Sequence, residues 1–178
     1  MMENILGRIF SLDECNEIIN SLDNINWERY THELKNEVTL ETFKSDYYLT
    51  EFNHSDLVNT KFKNLINSKF SFKINNVNIF LLKYLPNQSF GRHTDRNEKS
   101  EHHKDYIYNV NVLLNDTFEG GEFYLNDKKF EGNTPGIAYT YNSYEFHEVK
   151  PIISGIRYSM LCYIRERDFI SKTSKSLL

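Results

Sequence analysis

Apolar side chains recur at Leu12, Cys15, Ile18, Ile19 and Leu22, the rhythm of one face of a helix, which predicts an amphipathic helix over about residues 12–22. Ser11-Leu-Asp-Glu14 has the form of a capping box at its start, a Ser hydroxyl for an orphan N–H and a Glu reaching back. A second helix is predicted after Ser55, with Leu57, Val58, Phe62, Leu65 and Ile66 on one face. Between the two, Val38 to Phe52 is rich in β-branched and aromatic residues and reads as strand and turn.

From about residue 72 the texture changes to short β-favouring runs. They are Val77 to Tyr84, Tyr106 to Leu114, Glu122 to Leu125, Ile137 to Tyr141, Glu145 to Val149 and Ile156 to Ile164. Pro86, Gly120-Gly121, Pro135-Gly136, Pro151 and Gly155 punctuate them. Short strands at this spacing predict a mainly β (α+β) sandwich or jelly roll, with the two helices packed on one sheet. The expectation is one domain over 1–178, divided into a helical and mixed support (1–71), a core (72–167) and a polar tail (168–178).

Composition narrows the class. The chain has 178 residues, 39% apolar, with 13 Phe and 12 Tyr, enough for one packed core and too aromatic for disorder. Its 21 Lys and Arg against 25 Asp and Glu give a net charge of −4, which counts against a broad nucleic-acid face. The single alanine, Ala138, beside abundant Asn, Lys and Ile suggests an AT-rich coding sequence, bacterial or viral. Met1 to Phe10 lacks the apolar run of a signal peptide, and no stretch approaches the ~20 apolar residues that span a bilayer. Cys15 and Cys162 make no metal or redox motif, which fits a reducing compartment. The expected location is therefore the cytoplasm of a bacterium, or of a host if the source is viral, with no membrane partner.

His93-Thr-Asp95 places an imidazole and a carboxylate two residues apart, which on a strand means one face and about 6.6 Å of separation along the chain. Such a pair is common by chance. His147, in Phe-His-Glu-Val on a further predicted strand, raises the odds, because two His and one carboxylate form the facial triad of non-haem Fe(II) sites. Arg157 follows ten residues later, after a turn through Pro151 and Gly155. Across that hairpin an arginine would lie several ångströms from the metal, a gap that suits a dicarboxylate held by iron at one end and by guanidinium at the other. Ser159 shares the face of Arg157 and offers one more hydrogen bond.

These residues resemble a known family. Tyr84-Leu-Pro-Asn-Gln-Ser-Phe-Gly-Arg-His93-Thr-Asp95, Val112-Leu-Leu-Asn-Asp-Thr-Phe-Glu-Gly-Gly-Glu122, Pro135-Gly136 and His147-Glu-Val-Lys-Pro-Ile-Ile-Ser-Gly-Ile-Arg157-Tyr-Ser159 follow one another in a familiar order. They are similar to the catalytic half of the Fe(II)/2-oxoglutarate dioxygenases, in the prolyl 4-hydroxylase-like branch. The resemblance runs from Tyr84 to Tyr163. It implies a double-stranded β-helix, that is, a jelly roll, in which His93, Asp95 and His147 hold Fe(II) and Arg157 anchors the distal carboxylate of 2-oxoglutarate. Tyr84 sits where the family often places a tyrosine in the cosubstrate pocket. Leu161 replaces a Thr common four residues after the anchor, a role Ser159 would take over, and Tyr163 replaces a Trp usual in the closing strand.

The implied reaction hydroxylates a C–H bond, with O2 and 2-oxoglutarate consumed and succinate and CO2 released. The implied cofactors are Fe(II), 2-oxoglutarate and O2, with ascorbate as an optional addition. The first expected substrate is a peptidyl side chain, proline foremost. A free amino acid or other small molecule, or an inactive jelly-roll binding or sensor module, remain alternatives. A nucleic-acid demethylase is disfavoured, because Arg165 comes eight residues after the anchor where that branch has a closer arginine. Halogenation is disfavoured because Asp95 fills the position a halide would need.

Other candidates carry less. His102-His103 lies in a charged stretch, Arg96 to Asp105, that reads as a solvated loop able to close over substrate. Gly120-Gly121 precedes a strand and reads as a turn, not a phosphate loop. Cys162 alternates with Arg157 and Ser159, which places it on the opposite face as a buried thiol. The sequence leaves the oligomeric state open.

Overall fold

A computed structural model of the chain describes residues 4–35, 42–52 and 55–170. The order is β1 (Ile5–Arg8), α1 (Leu12–Asn20), a 3-10 turn at Ser21–Asn24, β2 (Glu28–Lys35), β3 (Thr42–Glu51), α2 (Asp56–Lys69), β4 (Ile79–Tyr84) and β5 (Phe90–His93). Then come β6 (Tyr106–Leu113), β7 (Phe118–Gly120), β8 (Phe123–Leu125), β9 (Lys128–Lys129), β10 (Ile137–Asn142), β11 (His147–Val149), β12 (Ile152–Gly155) and β13 (Arg157–Arg165). The seven-stranded sheet runs β1-β10-β6-β13-β4-β3-β2, the four-stranded sheet β5-β11-β8-β9, and β12 pairs with β7. Every pairing is antiparallel, and the two facing sheets form the expected jelly roll.

Period-2 alternation divides the interior into two cores. On one face of the large sheet, Ile79 and Leu81 of β4, Val110 and Val112 of β6, and Met160, Cys162 and Ile164 of β13 meet the helices. From α1 come Cys15 and Ile18, and from α2 Val58, Phe62 and Ile66. The alternate residues Leu82 and Tyr84, Tyr139 and Tyr141, and Leu161 face the small sheet, where Phe123 and Val149 close the second core. Buried polar side chains, Asn111, His147, Arg157 and Ser159, lie beside this second core. Cys162 lies in the helix-side core, fully buried, and that burial pushes its thiol up to about 12.

The capping box at Ser11 is present in both directions, but α1 ends at Asn20 and the chain tightens into the 3-10 turn, where Ser21 donates its hydroxyl to the Ile18 carbonyl. Ser55 caps α2 by accepting from the Val58 N–H. Several strands lay outside the expected runs: β7 and β9 fall between them, β12 takes up the stretch read as a turn through Pro151 and Gly155, and β1 and β2 precede them. β1 is short and carries Gly7 at φ +124° beside a register shift, and residues 28–33 of β2, a sheet edge, are exposed and so show no alternation to read. The first part of the predicted strand-and-turn region, 36–41, and residues 171–178 of the expected tail lie outside the described residues. Among the described residues no helix is long and apolar enough to cross a membrane.

Candidate active site

In the small sheet, β5 and β11 are neighbours, and His147 stands directly opposite His93, with ring centroids 4.2 Å apart. Asp95 is not on the strand. It lies just past the end of β5, where its own N–H and that of Arg96 both donate to the Ser143 carbonyl, at 3.1 and 3.0 Å. This clamp, rather than strand alternation, brings the carboxylate back beside the imidazole. One ligand atom from each of His93, Asp95 and His147 lies within 4.8 Å of the others, the one such cluster among the described residues.

Each imidazole is oriented by a backbone carbonyl. His93 Nδ1 is 2.7 Å from the Gly91 oxygen and His147 Nδ1 is 3.0 Å from the Glu145 oxygen. A carbonyl only accepts, so Nδ1 carries the proton in both rings and Nε2 is turned toward Asp95. His93 Nε2 lies 3.4 Å from Asp95 Oδ1, and His147 Nε2 3.2 Å from Oδ2. Neighbouring rings fix both planes, Phe90 stacking on His93 at 4.0 Å and Tyr141 lying 4.6 Å from His147.

The electrostatics call for a cation. Burial opposes the charge on Asp95, yet the field of the adjacent His147 holds its carboxyl far below the usual range. Burial also opposes charge on His147, but the adjacent carboxylate wins and raises its proton affinity. Burial and the proximity of His147 push His93 the other way, toward the neutral ring. His93 Nε2 is thus left buried without a hydrogen-bond partner, its lone pair facing a carboxylate. Two imidazoles and a carboxylate converging on one point fit Fe(II), with positions left open for other ligands.

Arg157 reaches the same cavity from the other side. It does not sit across a hairpin from His147, as the spacing suggested, because β11 belongs to the four-stranded sheet and β13 to the seven-stranded one. The intervening β12 instead turns away to pair with β7. The guanidinium is 1% exposed, its Nη1 donates to Ser159 Oγ at 2.9 Å, and the Tyr84 ring lies 5.3 Å away. Among the described residues no carboxylate forms an ion pair with it, and its Nε has no hydrogen-bond partner. An always-charged group buried without a counterion is costly unless an anion joins it.

Asp95, His147, Tyr84, Arg157, Ser159 and Tyr139 line one narrow cavity between the sheets, so all the predicted site residues but His93 share its wall, and His93 adjoins it through Phe90. Roomier grooves lie elsewhere, one of about 450 Å³ beside α1 and α2 that none of these residues lines. His102 and His103 are exposed and join no metal-binding cluster. The sequence reading passed over Asn109, Asn111, Tyr139, Tyr141 and Ser143. The signal was available: Asn109-Val-Asn111-Val alternates polar with apolar in an otherwise hydrophobic strand, which puts both amides on the inner face.

The comparisons agree with this geometry. A family model described as the 2OG-Fe(II) oxygenase superfamily matches residues 79–165, from β4 to the end of β13. No curated protein sequence matches the chain. Among solved structures, a viral collagen prolyl hydroxylase from Paramecium bursaria Chlorella virus-1, in complex with 2-oxoglutarate, is similar at 19% identity and TM-score 0.61, over 88% of this chain and 91% of that one. A prolyl-4-hydroxylase of Pseudomonas putida aligns at 15% identity and TM-score 0.54, over 85% and 99%. A Trichoplax adhaerens prolyl hydroxylase, bound to a peptide from the hypoxia inducible factor oxygen degradation domain, aligns at 14% and 0.54, over 88% and 91%. At these identities the structural likeness speaks for the fold.

Proposed function

We propose that this chain, whose residues 79–165 match the 2OG-Fe(II) oxygenase superfamily, hydroxylates a C–H bond of a peptidyl side chain, with proline the first candidate, while 2-oxoglutarate is converted to succinate and CO2. In this reading His93, Asp95 and His147 hold Fe(II), and Arg157 with Ser159 and Tyr84 receives the cosubstrate. The bound iron supplies the redox chemistry that joins oxidative decarboxylation of 2-oxoglutarate to oxidation of the substrate.

The observation that carries the proposal is Arg157: a buried cation without a carboxylate partner, on the wall of the cavity that also holds Asp95 and His147. Its planar donors match a carboxylate in two parallel hydrogen bonds. Ser159 holds one edge of the guanidinium, and the Tyr84 ring packs against it, so the anion meets a fixed fork. Leu82, Val149 and Leu161 make the intervening wall apolar, which keeps water from the reacting groups. The preference for a peptide draws on fold likeness to the Trichoplax enzyme, whose partner is a peptide.

The test is mass spectrometry of a peptide library or host lysate incubated with the protein, Fe(II) and 2-oxoglutarate. A gain of one oxygen on peptides, dependent on 2-oxoglutarate and lost in His93→Ala, is the expected result. One-oxygen products confined to free amino acids or other small molecules would replace the peptide assignment. Anaerobic addition of Fe(II) and 2-oxoglutarate should also raise a weak visible charge-transfer band. Its absence from the wild-type protein would overturn the assignment of the site.

A further inference from the structure

Asn109 is 0% exposed, in the middle of β6, on the strand that pairs with both β10 and β13. An amide there is disfavoured by strand propensity and by burial, unless each polar atom finds a partner. Its Nδ2 donates to Asp95 Oδ2 at 2.6 Å, and its Oδ1 faces Ser143 Oγ at 3.4 Å. The orientation follows from chemistry, since an ionised carboxylate only accepts and the amide nitrogen must therefore face it. Ser143 is itself 0% exposed, and its carbonyl is the one that accepts from the Asp95 and Arg96 N–H groups.

From these contacts we infer that Asn109 is a positioning residue for the metal centre: it fixes the rotation of the Asp95 carboxylate and Ser143 supports it. The inference rests on the reading that His93, Asp95 and His147 hold a divalent cation. Asp95 lies beyond the end of its strand, so no sheet register holds its side chain, and a short carboxylate there turns freely about its last bond. The amide occupies one lone pair of Oδ2 and anchors the group to the rigid centre of the large sheet. The carboxylate edge facing the two Nε2 atoms is thereby kept in place before any ion arrives. The hydrogen bond also withdraws charge from the carboxylate, so it tunes the strength of the ligand as well as its direction.

The experiment uses the full-length, metal-free protein and Mn(II) as the probe, with free Mn(II) followed by electron paramagnetic resonance under anaerobic conditions. Co(II) absorption serves as a second readout, and thermal melting of each metal-free variant as a control for folding. Asn109→Leu, close in shape but without the donor, should bind Mn(II) about 10- to 100-fold more weakly and shift the Co(II) bands. Asn109→Ser, which keeps a polar group too short to reach Asp95, should show the same loss, and it carries the test if the Leu variant does not fold. Wild-type Mn(II) affinity and an unchanged Co(II) spectrum in a folded Asn109 variant, even one that melts lower, would overturn the inference while leaving the metal site standing. No Mn(II) binding by the wild-type protein, or binding retained in His93→Ala, would instead remove the metal-site reading and the inference with it.

Discussion

Gly121 makes the room that Arg157 occupies. A Cβ built on Gly121 would lie 3.2 Å from Arg157 Cδ and would overlap Ile152 Cδ1, and the residue adopts φ +65°, where a side chain is strained. The Glu-Gly-Gly-Glu segment, read from the sequence as a turn, is therefore also the floor under the buried guanidinium. Gly121→Ala should cost about 1–3 kcal/mol through overpacking, with the αL conformation adding to it. Displacement of Arg157 should raise the KM for 2-oxoglutarate more than it lowers kcat. Urea denaturation and cosubstrate titration check the two parts, and an unchanged KM in a destabilised variant would separate Gly121 from the anion site.

Arg157 itself predicts a split between stability and function. Arg157→Met removes the fork that would grip a carboxylate, and 2-oxoglutarate affinity should fall by about 30-fold or more. The same change removes a buried cation that has no carboxylate counterion among the described residues. The ligand-free variant should be as stable as the wild type, or more stable by about 1–3 kcal/mol, in urea. Arg157→Lys keeps the charge without the planar pair of donors and should fall between the two in affinity. A large loss of stability in Arg157→Met would mean that the arginine serves packing alone.

How much of this was legible in the sequence depends on how local the signal was. The Ser11 capping box and most of the apolar faces of α1 and α2 are written within a few residues of one another and appear where periodicity puts them, although Leu12 and Leu57 stay exposed and α1 ends at Asn20. The strands from β4 to β13 were legible where they are apolar, whereas β2 was not, since an exposed edge strand has no buried face to write into its pattern. At the site, residue types singled out His93, Asp95, His147 and Arg157 as candidates, but not how they meet. The hairpin expected between His147 and Arg157 is replaced by two facing sheets, and Asp95 is held by Ser143, 48 positions further along the chain. Sheet membership and cross-strand partners are long-range facts that spacing alone does not encode.

Phe62 offers a control that separates scaffold from site. It is 0% exposed on α2, its ring 6.1 Å from that of Phe10, in the core on the far side of the large sheet from His93, Asp95 and His147. Phe62→Ala should lower stability by about 3–5 kcal/mol through lost burial and the cavity left behind. Because the ligands stand on the other face, Mn(II) affinity of the folded fraction should stay within about twofold of wild type, as expected for sites with no shared partners. A parallel fall in metal affinity would show that the helices shape the site directly.

Asp46 on β3 ties the edge of the large sheet to the turn before β5. It accepts a bidentate pair from Arg29 at 3.0 and 2.8 Å, and Gln88 Nε2 donates to it at 3.0 Å. The Arg29 hydrogen bonds hold its carboxyl below the usual range, against a smaller opposing effect of burial. A carboxyl lowered in the folded state contributes stability above its unfolded value, near pH 3.9, and loses it as pH falls through the folded value. The pair is exposed on its Arg29 side, so its contribution at neutral pH should be small. Asp46→Asn should therefore lower the urea midpoint slightly at neutral pH, and the difference from wild type should close as acidification carries the solution through the lowered folded value. Equal midpoints at neutral pH would show that the pair adds nothing, and a difference that widens in acid would assign the effect to packing around Gln88 instead of charge.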